Sequence, residues 1–222
     1  GGMLSTAELS ILQARKDINL FAERIQRMFR MVEQLLHTEN ENDFNKLFSR
    51  IEKYENISDN MEVEIANYLT RVSDGRLSFE SKMEIREMLR EVTEIESIGD
   101  SCYNISRTIN RKRRCSTDFT EKQYEHIHQM FRLTDEALTQ MIALVEDTHH
   151  VVDVNKSFNL ENEINNYRAQ LKDQNIIDVN NKAYGYQMGT HYMDIIGECE
   201  KLGDYVVNVV EAHSEVKEKK AS

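Results

Sequence analysis

Apolar residues recur every seven positions along almost the whole chain, and no proline interrupts them. The first segment carries two such series: Ile11, Ile18, Ile25 and Val32, beside Ala14, Phe21, Met28 and Leu35. Two series of period seven form one apolar stripe on a helix, which is typical of the seam of an antiparallel bundle. Without proline, no helix loses a backbone N–H donor or is forced to kink. The pattern predicts an all-α fold.

Polar stretches divide the periodic pattern into helices. The stretch 38–42 separates the first helix from the second, and the sequence Ser-Asp-Gly-Arg at 73–76 predicts a turn after the second. Gly75 is expected to take a positive φ there as a helix C-terminal cap. Ser78 or Ser81 is expected to cap the third helix.

The second half of the chain repeats this plan. Thr120 and Gln123 have the spacing of a capping box and are expected to begin a fourth helix, after which two more follow. We interpret residues 1–5 as a tag or leader. Three-helix bundles are predicted over 6–115 and 116–222, arranged as two tandem antiparallel units.

An internal duplication is visible in the third helix of each half. The segment 94–104 can be laid on 198–208 with an offset of 104 residues, and five of the eleven positions are identical. Helical periodicity explains matching apolar residues, but not the two glutamates, the glycine, the aspartate and the asparagine that coincide. The match therefore indicates a repeated functional motif.

The motif is unfavourable for a helix. Glycine in a helix interior costs about 1 kcal/mol relative to alanine, and Gly99 and Gly203 both fall on the apolar seam. Glu96 and Asp100 are four residues apart, so their carboxylates share a helix face and repel each other. The helical glycine and the neighbouring acids both destabilise the helix, and they recur at equivalent positions of the two copies. We therefore expect another interaction at the motif to compensate for this free-energy cost.

The two copies resemble the signature of PhoU proteins, which are negative regulators of bacterial phosphate uptake. The copies are 95–100 with Asn104 and Ile105 after it, and 199–204 with Asn208 and Val209 after it. The resemblance covers nearly the whole chain and implies two three-helix bundles side by side. It also implies that acidic motifs from neighbouring helices hold a multinuclear metal, which is iron in some members.

Seven acidic residues are the candidate metal ligands: Glu55, Asp59, Glu96 and Asp100 in the first half, and Glu161, Glu200 and Asp204 in the second. All-oxygen ligation suits Mg²⁺, Ca²⁺ or Mn²⁺, and carboxylate-bridged iron is also compatible. We expect the second set to be weaker, because Ser157 stands where an acid is expected. The alternative is that these acids form a solvated charged flank, as is usual in bundles.

Composition excludes several other functions. A net charge of −11 argues against binding to nucleic acid or to anionic lipid. Three cysteines without a CxxC pair make neither a disulfide framework nor a zinc knuckle. No candidate nucleophile is paired with a basic side chain that could activate it, so we predict that the chain is not an enzyme.

The adjacent His149 and His150 point about 100° apart on a helix and make a poor metal site. No run of about 20 apolar residues is present, and we expect a cytoplasmic protein.

Two smaller features allow more than one interpretation. The basic run 111–114 ends the third helix, where cations complement the helix dipole, but it also matches a phosphate- or partner-binding patch. Gly185 and Gly189 have the spacing GxxxG in the sixth helix, which predicts a close helix crossing.

These observations predict a regulator of phosphate transport. The segment 6–18 is similar to the tail that follows the membrane part of bacterial sodium/phosphate cotransporters, so we expect such a cytoplasmic tail, bound to a transporter domain or a phosphate-sensing partner. The alternatives are a free-standing PhoU-like regulator and a metal-binding helical protein of other role, with oligomers possible. A ferritin-like protein requires ExxH motifs on core-facing positions, and we expect none there. A plain coiled-coil scaffold leaves the repeated motif unexplained.

Overall fold

The computed structural model describes residues 5–146 and 153–221, with side chains described as far as Ser214. The described residues form six α-helices and no strand, which confirms the predicted all-α fold. The helices are α1 (Thr6–Leu36), α2 (Glu41–Ser73), α3 (Phe79–Arg113), α4 (Glu121–Glu146), α5 (Asn155–Asn180) and α6 (Tyr186–Ala221). Within this part of the chain, no helix is both long enough and apolar enough for a membrane crossing.

Side-chain caps explain where several helices begin. The Ser78 hydroxyl accepts a hydrogen bond from the backbone N–H of Ser81 at 3.1 Å, so Ser78 caps α3. Thr120 and Gln123 form the expected capping box, since each side chain accepts from the other residue's backbone N–H. Asn40 caps α2 as Ser78 caps α3, because its side-chain oxygen accepts a hydrogen bond from the backbone N–H of Asp43. Local sequence therefore sets these boundaries.

The two halves meet through corresponding helices. The third helix of one half, α3, packs along α6, the third helix of the other, and α1 packs against α4. The second helices, α2 and α5, each contact only their own half. The result is a central layer of α1, α3, α4 and α6, with α2 and α5 on the outside. The predicted boundary between residues 115 and 116 lies in the α3–α4 connection.

Burial follows this arrangement. The two heptad series of α1 are fully buried, as expected for a central helix. On α2, Ile51 and Ile65 are buried, but Leu47, Tyr54 and Tyr68 are only partly covered. An outer helix has one face to bury, so its second apolar series lies at the edge of the contact.

A buried ionic network joins both halves. The Arg15 guanidinium donates two hydrogen bonds of 3.0 Å to the two carboxylate oxygens of Glu91. His213 Nδ1 lies 3.4 Å from the same carboxylate, and all three side chains are buried. Burial opposes ionisation of Glu91, yet the Arg15 guanidinium, together with the neighbouring His213, holds its pKa below the ordinary value. The network fixes α1, α3 and α6 relative to one another.

The glycine predictions need correction. No glycine in the described residues has a positive φ, so Gly75 does not form the left-handed cap that we expected. Asp74 in a right-handed conformation ends α2, and Lys182 after α5 has the positive φ. Gly185 precedes α6 instead of lying within it, whereas Gly189 lies close to α5 as the crossing requires. His149 and His150, like residues 1–4 of the proposed leader, lie outside the described residues.

We expect Gly99→Leu to destabilise the chain by about 1–3 kcal/mol through overpacking. A Cβ at position 99 would lie only 2.9 Å from Ile25 Cδ1, whereas a Cβ at 203 would lie 3.4 Å from Ile164 Cδ1. Gly203→Leu should therefore cost less than Gly99→Leu. Gly203→Ala should stabilise by up to about 1 kcal/mol, because alanine favours the helix and its Cβ makes an ordinary contact. Urea unfolding midpoints test the series, and an unchanged midpoint for Gly99→Leu would contradict the assigned contact.

Candidate functional site

Four predicted ligands come together between α2 and α3. Helix α2 supplies Glu55 and Asp59, and α3 supplies Glu96 and Asp100. One carboxylate oxygen from each lies within 4.8 Å of the others. The i, i+4 spacing places each pair on one helix face, and the packing of α2 on α3 brings the faces together. We call this group the acidic cluster.

Glu55 lies beside Gly99 of α3. A Cβ at position 99 would lie 3.7 Å from Glu55 Oε2, an ordinary van der Waals distance, so the close packing at Gly99 is against Ile25 Cδ1 and not against the acidic cluster. Glu55 Oε2 is buried and has no hydrogen-bond donor. In the described part of the chain, no lysine or arginine forms an ion pair with any member of the acidic cluster. The site therefore leaves its own negative charge uncompensated.

The crowding shifts the ionisation of two members. Burial, a proton shared with Asp100 and the neighbouring carboxylate charges raise the pKa of Glu55 to about 9. Burial and the same Asp100 interaction raise the pKa of Glu96 to about 8, with further contributions from Glu62 and Asp59. Like charges that share a site cannot all ionise, so the metal-free cluster retains protons at neutral pH.

A fifth carboxylate borders the acidic cluster. Burial and the charges of Asp59 and Asp100 raise the pKa of Glu62, which lies one helical turn after Asp59 on α2. Glu62 was not among the predicted ligands. Its i, i+3 spacing from Asp59 was the available signal.

The second-half candidates do not converge in the same way. Burial and the charge of Asp204 raise the pKa of Glu161. Glu200 instead lies 3.8 Å from the Arg168 guanidinium. Ser157 is buried at the position where an acid was expected. Among the described residues, only the first half assembles three or more ligating side chains.

Other histidine and cysteine side chains have structural surroundings. His126 Nδ1 lies 2.8 Å from Tyr192 Oη, and the His128 ring stacks on His37. Burial raises the pKa of Cys199 to about 12 and that of Cys102 well above its usual range, so neither thiol is ionised at neutral pH. These groups serve packing and are not nucleophiles.

The basic run at the end of α3 is divided among several partners. Arg113 donates to the backbone carbonyls of Thr38 and Glu39 in the α1–α2 connection. Lys112 pairs with Asp118 in the α3–α4 connection. These contacts agree with the structural interpretation of the run, but Arg111 points elsewhere, to a groove beside α6.

The donor set of the acidic cluster suits a hard cation. Four carboxylates from two helices are the all-oxygen environment that Mg²⁺ or Mn²⁺ prefers, and carboxylates also bridge iron. The unpaired Glu55 oxygen is an available ligand atom. A divalent ion there would compensate the charge that otherwise requires protons, and it would link α2 to α3.

Fold and site together define a duplicated six-helix protein in which the third helix of each half carries an acidic motif. The PhoU domain family matches residues 18–109 and 127–212, one domain in each half, so the chain belongs to the PhoU domain family. This confirms the resemblance noted in the sequence. A comparison with curated proteins finds no match.

Solved structures of the same fold extend over nearly the whole chain. The phosphate transport system regulatory protein PhoU of Streptococcus pneumoniae has a TM-score of 0.79 at 15% identity, covering 96% of this chain and 97% of its own. PhoU of Pseudomonas aeruginosa has a TM-score of 0.74 at 11% identity, covering 95% and 98%. Membership of a family of regulatory proteins agrees with the prediction that the chain is not an enzyme.

The metal-free chain should lose stability as the pH rises from about 5 to about 9. The folded-state pKa values of Glu55 and Glu96, about 9 and about 8, lie above the ordinary value of 4.5. The folded chain therefore holds protons that the unfolded chain has released, and their stabilisation is lost as the pH rises through the folded values. Melting temperatures measured in chelator across this range test the expectation.

The double variant Glu96→Gln with Asp100→Asn is the comparison for this experiment. It removes two of the repelling carboxylates, so its melting temperature should fall less steeply over the same range. Equal slopes in the two proteins would contradict the assignment of this pH dependence to the acidic cluster.

Proposed function

We propose that the chain regulates phosphate transport by direct contact with a membrane transporter or with its phosphate-sensing partner. We further propose that the acidic cluster binds a divalent metal, with iron, manganese and magnesium as candidates. Membership of the PhoU domain family through both halves is the observation that carries the proposal. The similar protein of Streptococcus pneumoniae is a regulatory protein of a phosphate transport system.

Of the two forms expected from the sequence, the comparisons favour the PhoU-like regulator over the cotransporter tail. The similar structures are PhoU proteins, and the similarity spans 97% and 98% of their own chains. The cotransporter interpretation depends on the segment 6–18 alone. Several hydrophobic spans encoded upstream of Thr6 in the reading frame would restore it.

A metal at the acidic cluster gives this regulator a physical means of response. Helix α2 lies on the outside and packs only against α1 and α3, so it has fewer contacts than the central helices. An ion shared by Glu55 and Asp59 of α2 and the carboxylates of α3 would hold the outer helix in one position. The outer surface of α2 would then be a metal-dependent surface for a partner.

Bound metal should stabilise the fold, and chelator should lower the melting temperature. An ion present at about 100 times its Kd adds about 2.7 kcal/mol, which corresponds to roughly 5–10 °C for a chain of this size. Glu96→Gln with Asp100→Asn should abolish this effect. Glu200→Gln with Asp204→Asn is the matched control and should retain it, because Glu200 already has Arg168 as a partner.

Elemental analysis of protein purified without chelator, with melting curves in Fe²⁺, Mn²⁺ and Mg²⁺, provides the measurement. If the protein contains no metal and none of these ions shifts its melting temperature, the alternative interpretation holds, in which the four acids form a solvated charged flank.

Deletion of the gene in the source organism should increase the uptake of radiolabelled phosphate in phosphate-rich medium, because a negative regulator is lost. The wild-type gene and the Glu200→Gln, Asp204→Asn control should restore low uptake. The Glu96→Gln, Asp100→Asn variant should not restore it, although immunoblots should show equal amounts of protein. Unchanged phosphate uptake in the deletion strain would contradict the proposed regulatory role.

A further inference from the structure

A second polar site lies in a groove of about 330 Å³ that is lined by residues of α3, α5 and α6, away from the acidic cluster. At about 30 Å³ for each water molecule, the groove has room for roughly ten waters, or for a small ion with part of its hydration shell. We call it the basic groove. Its charged lining consists of Arg107, Arg111, Arg168, Lys201, Asp194 and Glu198.

The charge of the basic groove is opposite to that of the chain. Four cations and two anions line it, whereas the whole chain carries a net charge of −11. The cations are only partly compensated. Lys201 lies 3.5 Å from Glu198, and Arg111 donates to the Thr108 hydroxyl at 3.0 Å. Arg168 lies 3.8 Å from Glu200, but its Nε atom is buried without a hydrogen-bond acceptor. Donors remain available to an anion.

A glycine keeps the basic groove open. Gly197 lies within α6 and lines the groove, and a Cβ at this position would meet no atom within 4 Å. A helical glycine costs about 1 kcal/mol relative to alanine. Close packing accounts for Gly99, but it does not account for Gly197. The open space above Gly197 is room for a ligand.

The internal repeat provides a comparison within the same molecule. With the offset of 104 residues, Glu198 corresponds to Glu94, and Asn104 corresponds to Asn208. Asn208 Nδ2 donates to Glu94 Oε2 at 3.1 Å. Glu198 Oε1 lies 3.5 Å from Lys201 Nζ, but Glu198 Oε2 is buried in the basic groove and has no hydrogen-bond partner. Glu198 Oε2 therefore remains available as an acceptor.

We propose that the basic groove binds inorganic phosphate as its monoprotonated dianion. The guanidinium groups of Arg107, Arg111 and Arg168 would donate to the phosphate oxygens, which is their preferred kind of acceptor. Glu198, which as a carboxylate only accepts, would take the hydrogen bond from the P–OH group. The choice of phosphate among protonated oxyanions rests on the proposed function, whereas the anion site itself rests on the groove.

The carboxylate also predicts selectivity. Sulfate has similar size and charge, but it carries no proton at neutral pH and cannot donate to Glu198. Sulfate would leave the buried Glu198 Oε2 atom without a donor beside an anion, and such an arrangement disfavours binding. Phosphate should therefore bind at least about tenfold more tightly than sulfate.

Calorimetric titration of the purified chain with phosphate and, separately, with sulfate tests the proposal. Ionic strength is held constant with chloride, and chelator is present so that metal at the acidic cluster cannot hold the anion. Arg107→Gln with Arg111→Gln should weaken phosphate binding at least about tenfold. Glu198→Gln should remove the preference for phosphate over sulfate.

Gly197→Leu should abolish binding by filling the groove, while its urea midpoint should be unchanged or higher because no neighbour is displaced. Gly185→Leu is the matched control, since it adds the same side chain at another open glycine outside the groove. Arg76→Gln with Arg86→Gln removes two exposed charges outside the groove and controls for net charge. Both controls should bind phosphate like the wild type.

Three results would overturn the inference: no phosphate binding by the wild-type chain, equal affinity for sulfate, or equal loss in the charge control. None of them bears on uptake by the deletion strain, because binding is measured on the isolated chain. Conversely, unchanged uptake after deletion would remove the regulatory role and leave a measured phosphate affinity intact.

Discussion

The packing of α3 along α6 is the constraint on which the rest of the structure depends. These helices are the third elements of the two repeats, and each buries an apolar face that includes Cys102 or Cys199 against the other half. Because this face is buried between the halves, the face of α3 that carries the acids packs against α2, and that of α6 packs against α5. Glu55 of α2 then packs beside Gly99 of α3. Contact between the halves thus determines which carboxylates meet.

The Arg15–Glu91–His213 network fixes the alignment of these helices. A buried ion pair gains little net stability, because removing charges from water costs almost as much as their attraction returns. Breaking it is costly, since any shift of α1 along α3 would leave Glu91 buried and unpaired. Alternative alignments of the heptads would bury a similar apolar surface, so the ionic contact distinguishes the native one. We infer that its main contribution is specificity.

The sequence predicted the fold well because the fold depends on local signals. Heptads, the Ser78 cap and the Thr120 capping box are each visible within a few residues, and the structure contains all of them. The acidic cluster was also predictable, because its members occur at i, i+4 on two helices that the repeat makes neighbours. The prediction of a left-handed cap at Gly75 was wrong, because Asp74, with a right-handed helical backbone conformation, ends α2.

The sites that involve both halves could not be predicted in the same way. Glu91 and His213 are 122 positions apart, and the basic groove combines α3 with α5 and α6. No spacing rule relates such residues. The pairing of Glu200 with Arg168 likewise depends on how α5 packs against α6. The repeat in the sequence suggested two equivalent sites. The tertiary contacts differ, because the first-half acids meet one another whereas Glu200 in the second half pairs with Arg168.

One stripe of α3 connects the two sites. At 100° per residue, Glu96, Asp100, Asn104, Arg107 and Arg111 fall within about 80° of one another, and the stripe changes from acidic to basic along the helix. Asp100 and Arg107 are seven residues apart, or about 10 Å at 1.5 Å per residue. A cation in the acidic cluster and an anion in the basic groove would attract each other across this distance. Thermodynamic linkage then requires that each ligand raise the affinity of the other by the same factor. A regulator with this arrangement would respond to metal and phosphate together, because one rigid helix carries both sites.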